Sequence, residues 1–105
     1  MSNTQKVRVA GKPLRGEDAP ALADVFACLS DPIRLRLFDL VRRAGSQGIC
    51  SCDLTEPLDR SQPTVSHHLK VLRESGLVES RRDGNWIWYS AVPGRLETAQ
   101  RFLGH

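Results

Sequence analysis

The sequence lacks any long apolar run. Its uncharged apolar stretches are a few residues each, far short of the ~18 that a membrane span requires. The opening MSNTQKVRVAGKPLRGEDAP has positive charges but no apolar core behind them, so it does not read as a secretory signal. Internal repeats and low-complexity blocks are also missing, which excludes solenoids and biased linkers. A strong charge of one sign is absent too: 15 Lys+Arg stand against 12 Asp+Glu, a net charge of +3. That balance permits a nucleic-acid partner without arguing for one. The expectation from these absences is a cytoplasmic protein with no membrane partner.

What is present is ordinary for a folded chain. Apolar residues make up 40% and charged residues 26% of 105 residues, which suits one domain. There are three cysteines, Cys28, Cys50 and Cys52. An odd count in a reducing compartment, with two of them one residue apart, suits free thiols or metal ligands better than a disulfide framework.

Residues 1–16 are polar and basic, broken by Gly11, Pro13 and Gly16. They read as a flexible arm bearing Lys6, Arg8, Lys12 and Arg15, either solvated or touching phosphates. Residues 17–105 form the domain. A first helix is predicted from about Glu17 to Leu29, because Leu22, Val25, Phe26 and Leu29 share one stripe. A second follows Asp31-Pro32, a cap and a first-turn proline, and buries Ile33, Leu37, Leu40 and Val41. Gly45 and Gly48 end it. A short segment from Cys52 to Leu58 precedes a long helix from Ser61 or Gln62 to Ser75, stopped by Gly76. Leu77 to Arg82 and Trp86 to Val92 read as two strands, joined through Asp83-Gly84 in a hairpin. Pro93 opens a last helix with Leu96, Ala99 and Leu103 on one face.

Two helices joined by a short turn, then a β-hairpin, describe a winged helix-turn-helix: mainly α, with a hairpin wing. On the long helix Val65, Leu69 and Leu72 cluster within about 60° and form the buried stripe. Thr64, Ser66, His67 and Lys70 lie opposite or beside it, and can reach base edges or phosphates. His68 falls at the margin of the buried face and reads as a packing histidine. Ser61 and Gln62 sit at the helix start, where free N–H groups suit phosphates. Arg81 and Arg82 stand on the hairpin, placed to grip backbone phosphate.

Three stretches carry a resemblance: Leu29-Ser30-Asp31-Pro32-Ile33-Arg34-Leu35-Arg36-Leu37, the run from Ser61-Gln62-Pro63-Thr64-Val65-Ser66-His67-His68-Leu69 to Val78, and Asp83-Gly84-Asn85-Trp86-Ile87-Trp88-Tyr89. Over roughly residues 19 to 103 the chain resembles the ArsR/SmtB family of metal-sensing transcriptional repressors. The resemblance implies a homodimer that holds a palindromic operator and leaves when an inducer binds. It also implies an interface built from the first and last helices, which suits Leu22, Val25, Phe26 and Leu29 with Leu96, Ala99 and Leu103.

Ile49-Cys50-Ser51-Cys52-Asp53-Leu54 resembles the thiolate motif that arsenic-, cadmium- and lead-sensing members place at the start of the first DNA-binding helix. Soft thiolates select soft ions, and As(III) prefers three sulfurs. Residues two apart on a helix point about 200° from each other, so one of Cys50 and Cys52 must sit outside a regular helix, or the ion must unwind its start. The family's arsenic form has a third cysteine where this chain has Thr55. Cys28 is then either the third sulfur or a small apolar residue at a helix interface. The family's oxygen and nitrogen site on the last helix is nearly empty, with only Glu97 and His105. Two other readings stand beside As(III) sensing. One is a redox or sulfide switch on the same thiols, against which the strained ring of a Cys-x-Cys pair counts. The other is a small thiol enzyme, which needs a base beside its nucleophile, whereas His67 and His68 fall on the reading helix.

Overall fold

The computed structural model describes residues 10–104. Lys6, Arg8 and His105 therefore lie outside the described residues. The elements are α1 (Ala19–Cys28), α2 (Pro32–Arg43), β1 (Ile49–Cys50), α3 (Thr55–Leu58), α4 (Gln62–Glu74), β2 (Val78–Asp83), β3 (Trp86–Ala91) and α5 (Pro93–Leu103). No helix among them is long and apolar enough to cross a membrane.

Local chemistry accounts for the helix starts. Asp31 caps α2, its Oδ1 accepting from the N–H groups of Ile33 at 2.8 Å and Arg34 at 3.0 Å, with Pro32 in the first turn. Ser61 caps α4, accepting from the N–H of Thr64 at 3.4 Å. Between α3 and α4 the chain reverses at Asp59, whose φ of 53° is left-handed, a conformation that aspartate tolerates better than most residues.

One core joins these helices to the sheet. Leu37, Phe38 and Val41 of α2, Leu54 and Leu58 around α3, Val65, Leu69 and Leu72 of α4, and Leu77, Val78 and Tyr89 of the hairpin region are all buried together. The α4 stripe is the expected one, and His68 joins it at 8% exposure. On α2, Phe38 is buried although it lay outside the expected stripe, and Ile33 is only half-buried.

The sheet has three strands in the order β1-β3-β2, all antiparallel. The hairpin was expected; β1 was not. Two residues are too few to show alternation, and they pair because Gly48 precedes them. Gly48 has φ +82° and ψ −175°, a region almost restricted to glycine, and a Cβ there would lie 2.6 Å from the carbonyl oxygen of Tyr89. The hairpin closes between Asp83 and Trp86, so its two-residue loop is Gly84-Asn85, within the expected link, and Asp83 ends the first strand. Gly84, with φ +64°, takes the first loop position, where a hairpin turn favours glycine.

The sheet's pleat sorts its residues. Ile49, Tyr89 and Val78 belong to the core side. Cys50, Trp88 and Arg81 lie abreast on the other face, one from each strand.

α1 packs on α5, which takes up part of the apolar surface expected at a subunit interface. Leu22, Val25 and Ala99 are buried inside the single chain. Their apolar surface is covered there, so of the seven residues expected to face a second copy Phe26, Leu29, Leu96 and Leu103 keep surface for it.

Replacing Gly48 by alanine is expected to destabilise the fold by about 2–3 kcal/mol or more, since it adds backbone strain to the collision with Tyr89. Gly94→Ala, with open space around it and inside α5, is expected to be neutral or slightly stabilising. Urea denaturation of both variants checks the contrast.

Candidate nucleic-acid interface and thiol site

With one side of α4 buried, its other side faces outward. Ser61, Gln62, Ser66, His67 and Lys70 are exposed, and Thr64 is half-buried. Two hydrogen bonds order this face: Ser61 Oγ donates to Thr64 Oγ1 at 3.1 Å, and Gln62 Nε2 donates to Ser66 Oγ at 3.2 Å. Short hydroxyls, an amide, an imidazole and an ammonium on one helix face form a surface suited to base edges and phosphates.

The two wing arginines separate. Adjacent strand residues point to opposite faces, so Arg81 and Arg82 do not form one clamp. Arg81 donates from Nη2 to the Gln47 carbonyl at 3.5 Å, folding toward β1. Arg82, opposite Ile87, is exposed near the wing tip. In the arm, Arg15 pairs with Asp18 at 2.9 Å and Glu17 at 3.4 Å instead of standing free.

Behind α4 lies a junction that sequence reasoning missed. Arg34 donates from Nε to the Cys28 carbonyl at 2.8 Å, and its Nη1 is 3.4 Å from His68 Nδ1. The same Nη1 is 3.9 Å from Asp31. A guanidinium only donates, so Nδ1 accepts and the neutral ring carries its proton on Nε2. Burial pushes the His68 imidazole below its usual range; Asp31 opposes this, while Arg34, His67 and Arg60 add to it. Asp31 is itself held below the usual carboxylate range, chiefly by the Arg34 backbone N–H. The end of α1, the start of α2 and the middle of α4 are thus tied at one point. Nothing in α2 periodicity signals a partner for Arg34 that lies 34 residues away.

Both thiols stand ahead of the α-helix that they were expected to open. Cys50 ends β1, and Cys52 lies in the 3₁₀ turn Ser51–Asp53, ahead of α3. Their sulfurs are in contact across a Cα–Cα distance of 5.2 Å, and the Cys52 N–H donates to Cys50 Sγ at 3.4 Å. Cys50 is buried, whereas Cys52 is exposed and open to a ligand. The motif therefore precedes α3 instead of occupying its first turn. Cys28 is a free thiol, buried among the core residues of α1. No three His, Cys, Asp or Glu side chains among the described residues gather into a metal site. Cys28 is thus not brought to the pair, and the site within one chain is two sulfurs.

A reading helix with an outward polar face, a preceding short helix and an antiparallel wing define a winged helix-turn-helix regulator. Residues 31–80 match the family described as bacterial regulatory protein, arsR family. An ArsR-like transcriptional regulator from Rhodococcus sp. RHA1 superposes with a TM-score of 0.72 at 33% identity, covering 84% of this chain and 80% of that one. An HTH-type transcriptional regulator of Methanocaldococcus jannaschii is 37% identical over 75 residues, 71% of this chain and 82% of its own. The arsenical resistance operon repressor of Escherichia coli is 44% identical over 69 residues, 66% of this chain and 57% of its own. The chain belongs to the ArsR family of transcriptional regulators. It is a DNA-binding regulator and not an enzyme. The match spans only 52% to 62% of the arsenic-resistance regulators' length.

Because the His68 imidazole is depressed in the folded protein, the unfolded chain takes up its proton first as pH falls. Stability from this site is therefore flat above about pH 6.5 and is lost as pH drops toward the depressed folded value. Chemical denaturation at several pH values is expected to show this loss in the parent and a smaller one in His68→Gln.

Proposed function

We propose that the protein is a homodimeric repressor that holds a palindromic operator and releases it when a soft metal or metalloid, As(III) foremost, is bound by Cys50 and Cys52. The observation that carries this reading is the meeting of the two sulfurs in the turn that leads into the helix-turn-helix. Two adjacent thiolates are the donor set a soft ion selects, and As(III) would take a third sulfur or another donor from elsewhere. Relatives named for arsenic and for cadmium resistance support this inducer class.

The chain's own residues supply the link to DNA. The thiol turn ends at Leu54, which is fully buried in the same core as Val65 and Leu69 of α4. A change in the turn's geometry displaces Leu54, and a close-packed core transmits that displacement to the reading helix. A coupling of about 1–3 kcal/mol, usual for allosteric sites, corresponds to roughly 5- to 150-fold weaker operator binding.

On α4, Thr64, Ser66 and His67 read bases and Ser61, Gln62 and Lys70 hold phosphates; on the wing Arg82 grips the backbone beside the groove, and Arg81, on the opposite face, supplies a separate phosphate contact. A second copy docks on Phe26, Leu96 and Leu103, with Phe102, whose ring lies 6.1 Å from that of Phe26, on the same surface. Residues 1–16 form a basic arm and residues 17–105 the DNA-binding and sensing unit of a cytoplasmic protein. The sulfur contact also favours a second reading, in which an oxidant takes two electrons and two protons from the thiol pair to close a disulfide, which sulfide can then open to one persulfide and one thiol. Mass spectrometry after oxidant and after arsenite separates the two.

Arsenite is expected to release the parent protein from its operator in gel-shift or anisotropy assays and to leave a Cys50→Ser/Cys52→Ser variant bound. Equal release of both removes the sensing assignment. In the same assays His67→Ala is expected to relax base preference, while Arg82→Ala weakens all sequences alike and lowers the salt slope by about one.

A further inference from the structure

Among the described residues, Cys50 is the one buried apolar residue that stands apart from the common core. Its side chain lies on the outer face of the sheet, where the residue directly opposite on β3 is Trp88. Directly opposed residues of antiparallel strands bring their Cβ atoms to about 4.5–5.5 Å. On its other side Trp88 stands opposite Arg81 of β2. The row Cys50–Trp88–Arg81 thus crosses all three strands, from the thiol pair to the wing.

Trp88 has a second peculiarity. Its indole Nε1 is buried and finds no hydrogen-bond partner among the described residues. A buried N–H without an acceptor is uncommon in folded proteins and calls for a reason. Directly across on the same face stands Cys50, whose sulfur as a thiolate, or an atom of an ion it came to hold, would accept a hydrogen bond. The other neighbour of Trp88, Arg81, is already drawn toward β1 through the Gln47 carbonyl.

We propose that Trp88 senses the occupancy of the Cys50–Cys52 pair and passes it to Arg81, so that the wing is a second output of the thiol site beside the reading helix. The inference rests on thiol sensing by that pair. With the thiols empty the indole N–H is idle; with them occupied it gains an acceptor. The ring then shifts within its row, and the shift reaches the arginine on the neighbouring strand. Trp88 acts as a positioning residue and contacts no DNA.

The test uses the full chain with sodium arsenite as probe. Trp86→Phe leaves Trp88 as the sole tryptophan, since the sequence has two. Arsenite is expected to change Trp88 emission with the same midpoint as the loss of two titratable thiols, and to change nothing after Cys50→Ser/Cys52→Ser. Trp88→Phe is expected to keep arsenite protection of both thiols and to bind operator normally without arsenite. Its arsenite-driven release is expected to fall at least fivefold below the parent's. Trp88→Tyr serves if the phenylalanine variant does not fold. Silent Trp88 emission while both thiols are protected, or full release by the Trp88 variants, overturns the inference and leaves thiol sensing standing. Failure of arsenite to protect the thiols at all removes both.

Discussion

One-sided burial of α4 is the constraint from which the rest of the arrangement follows. Val65, His68, Leu69 and Leu72 are set against α2, α3 and the hairpin, in an interior with little room for rotation. Turning the helix would expose leucines that are fully buried and open cavities beneath them. Its polar face is therefore fixed in direction before any DNA is met. The same packing makes α4 responsive, since every element that shares its core can displace it. Leu54 joins that core from the thiol turn, and Arg34 reaches α4 from α2 through His68.

The sheet is small but uses both faces. One belongs to the core through Ile49, Val78 and Tyr89. The other gathers Cys50, Trp88 and Arg81. Gly48 permits this division, because only a residue without a Cβ can come so near the Tyr89 carbonyl. Without that approach β1 would not pair, and Cys50 would be an ordinary loop cysteine. The thiol turn is thus fastened at one end to the sheet and at the other to the helix-turn-helix.

Much of the fold was legible in the chain. Asp31-Pro32, Ser61 and Gly76 mark helix ends, and the α4 stripe shows at once which side faces out. The hairpin was visible in the alternation around Asp83-Gly84, and its loop is Gly84-Asn85. A two-residue strand left no pattern to read. Apolar stripes on α1 and α5 were visible, but periodicity does not say whether a stripe meets its own chain or a second copy. Leu22, Val25 and Ala99 turned out to face inward.

By itself the sequence determined the helices and the hairpin, the outward polar face of the long helix and the pairing of two cysteines one residue apart. These depend on periodicity, capping and residue type, all of which act over a few neighbouring residues. Tertiary structure alone decided that the two sulfurs meet outside a helix, that Cys28 stays in the core, that Arg34 reaches His68, and that Trp88 stands between Cys50 and Arg81. Each of these depends on strand register or on packing between segments distant in sequence. Only the closing of the whole core brings such segments together.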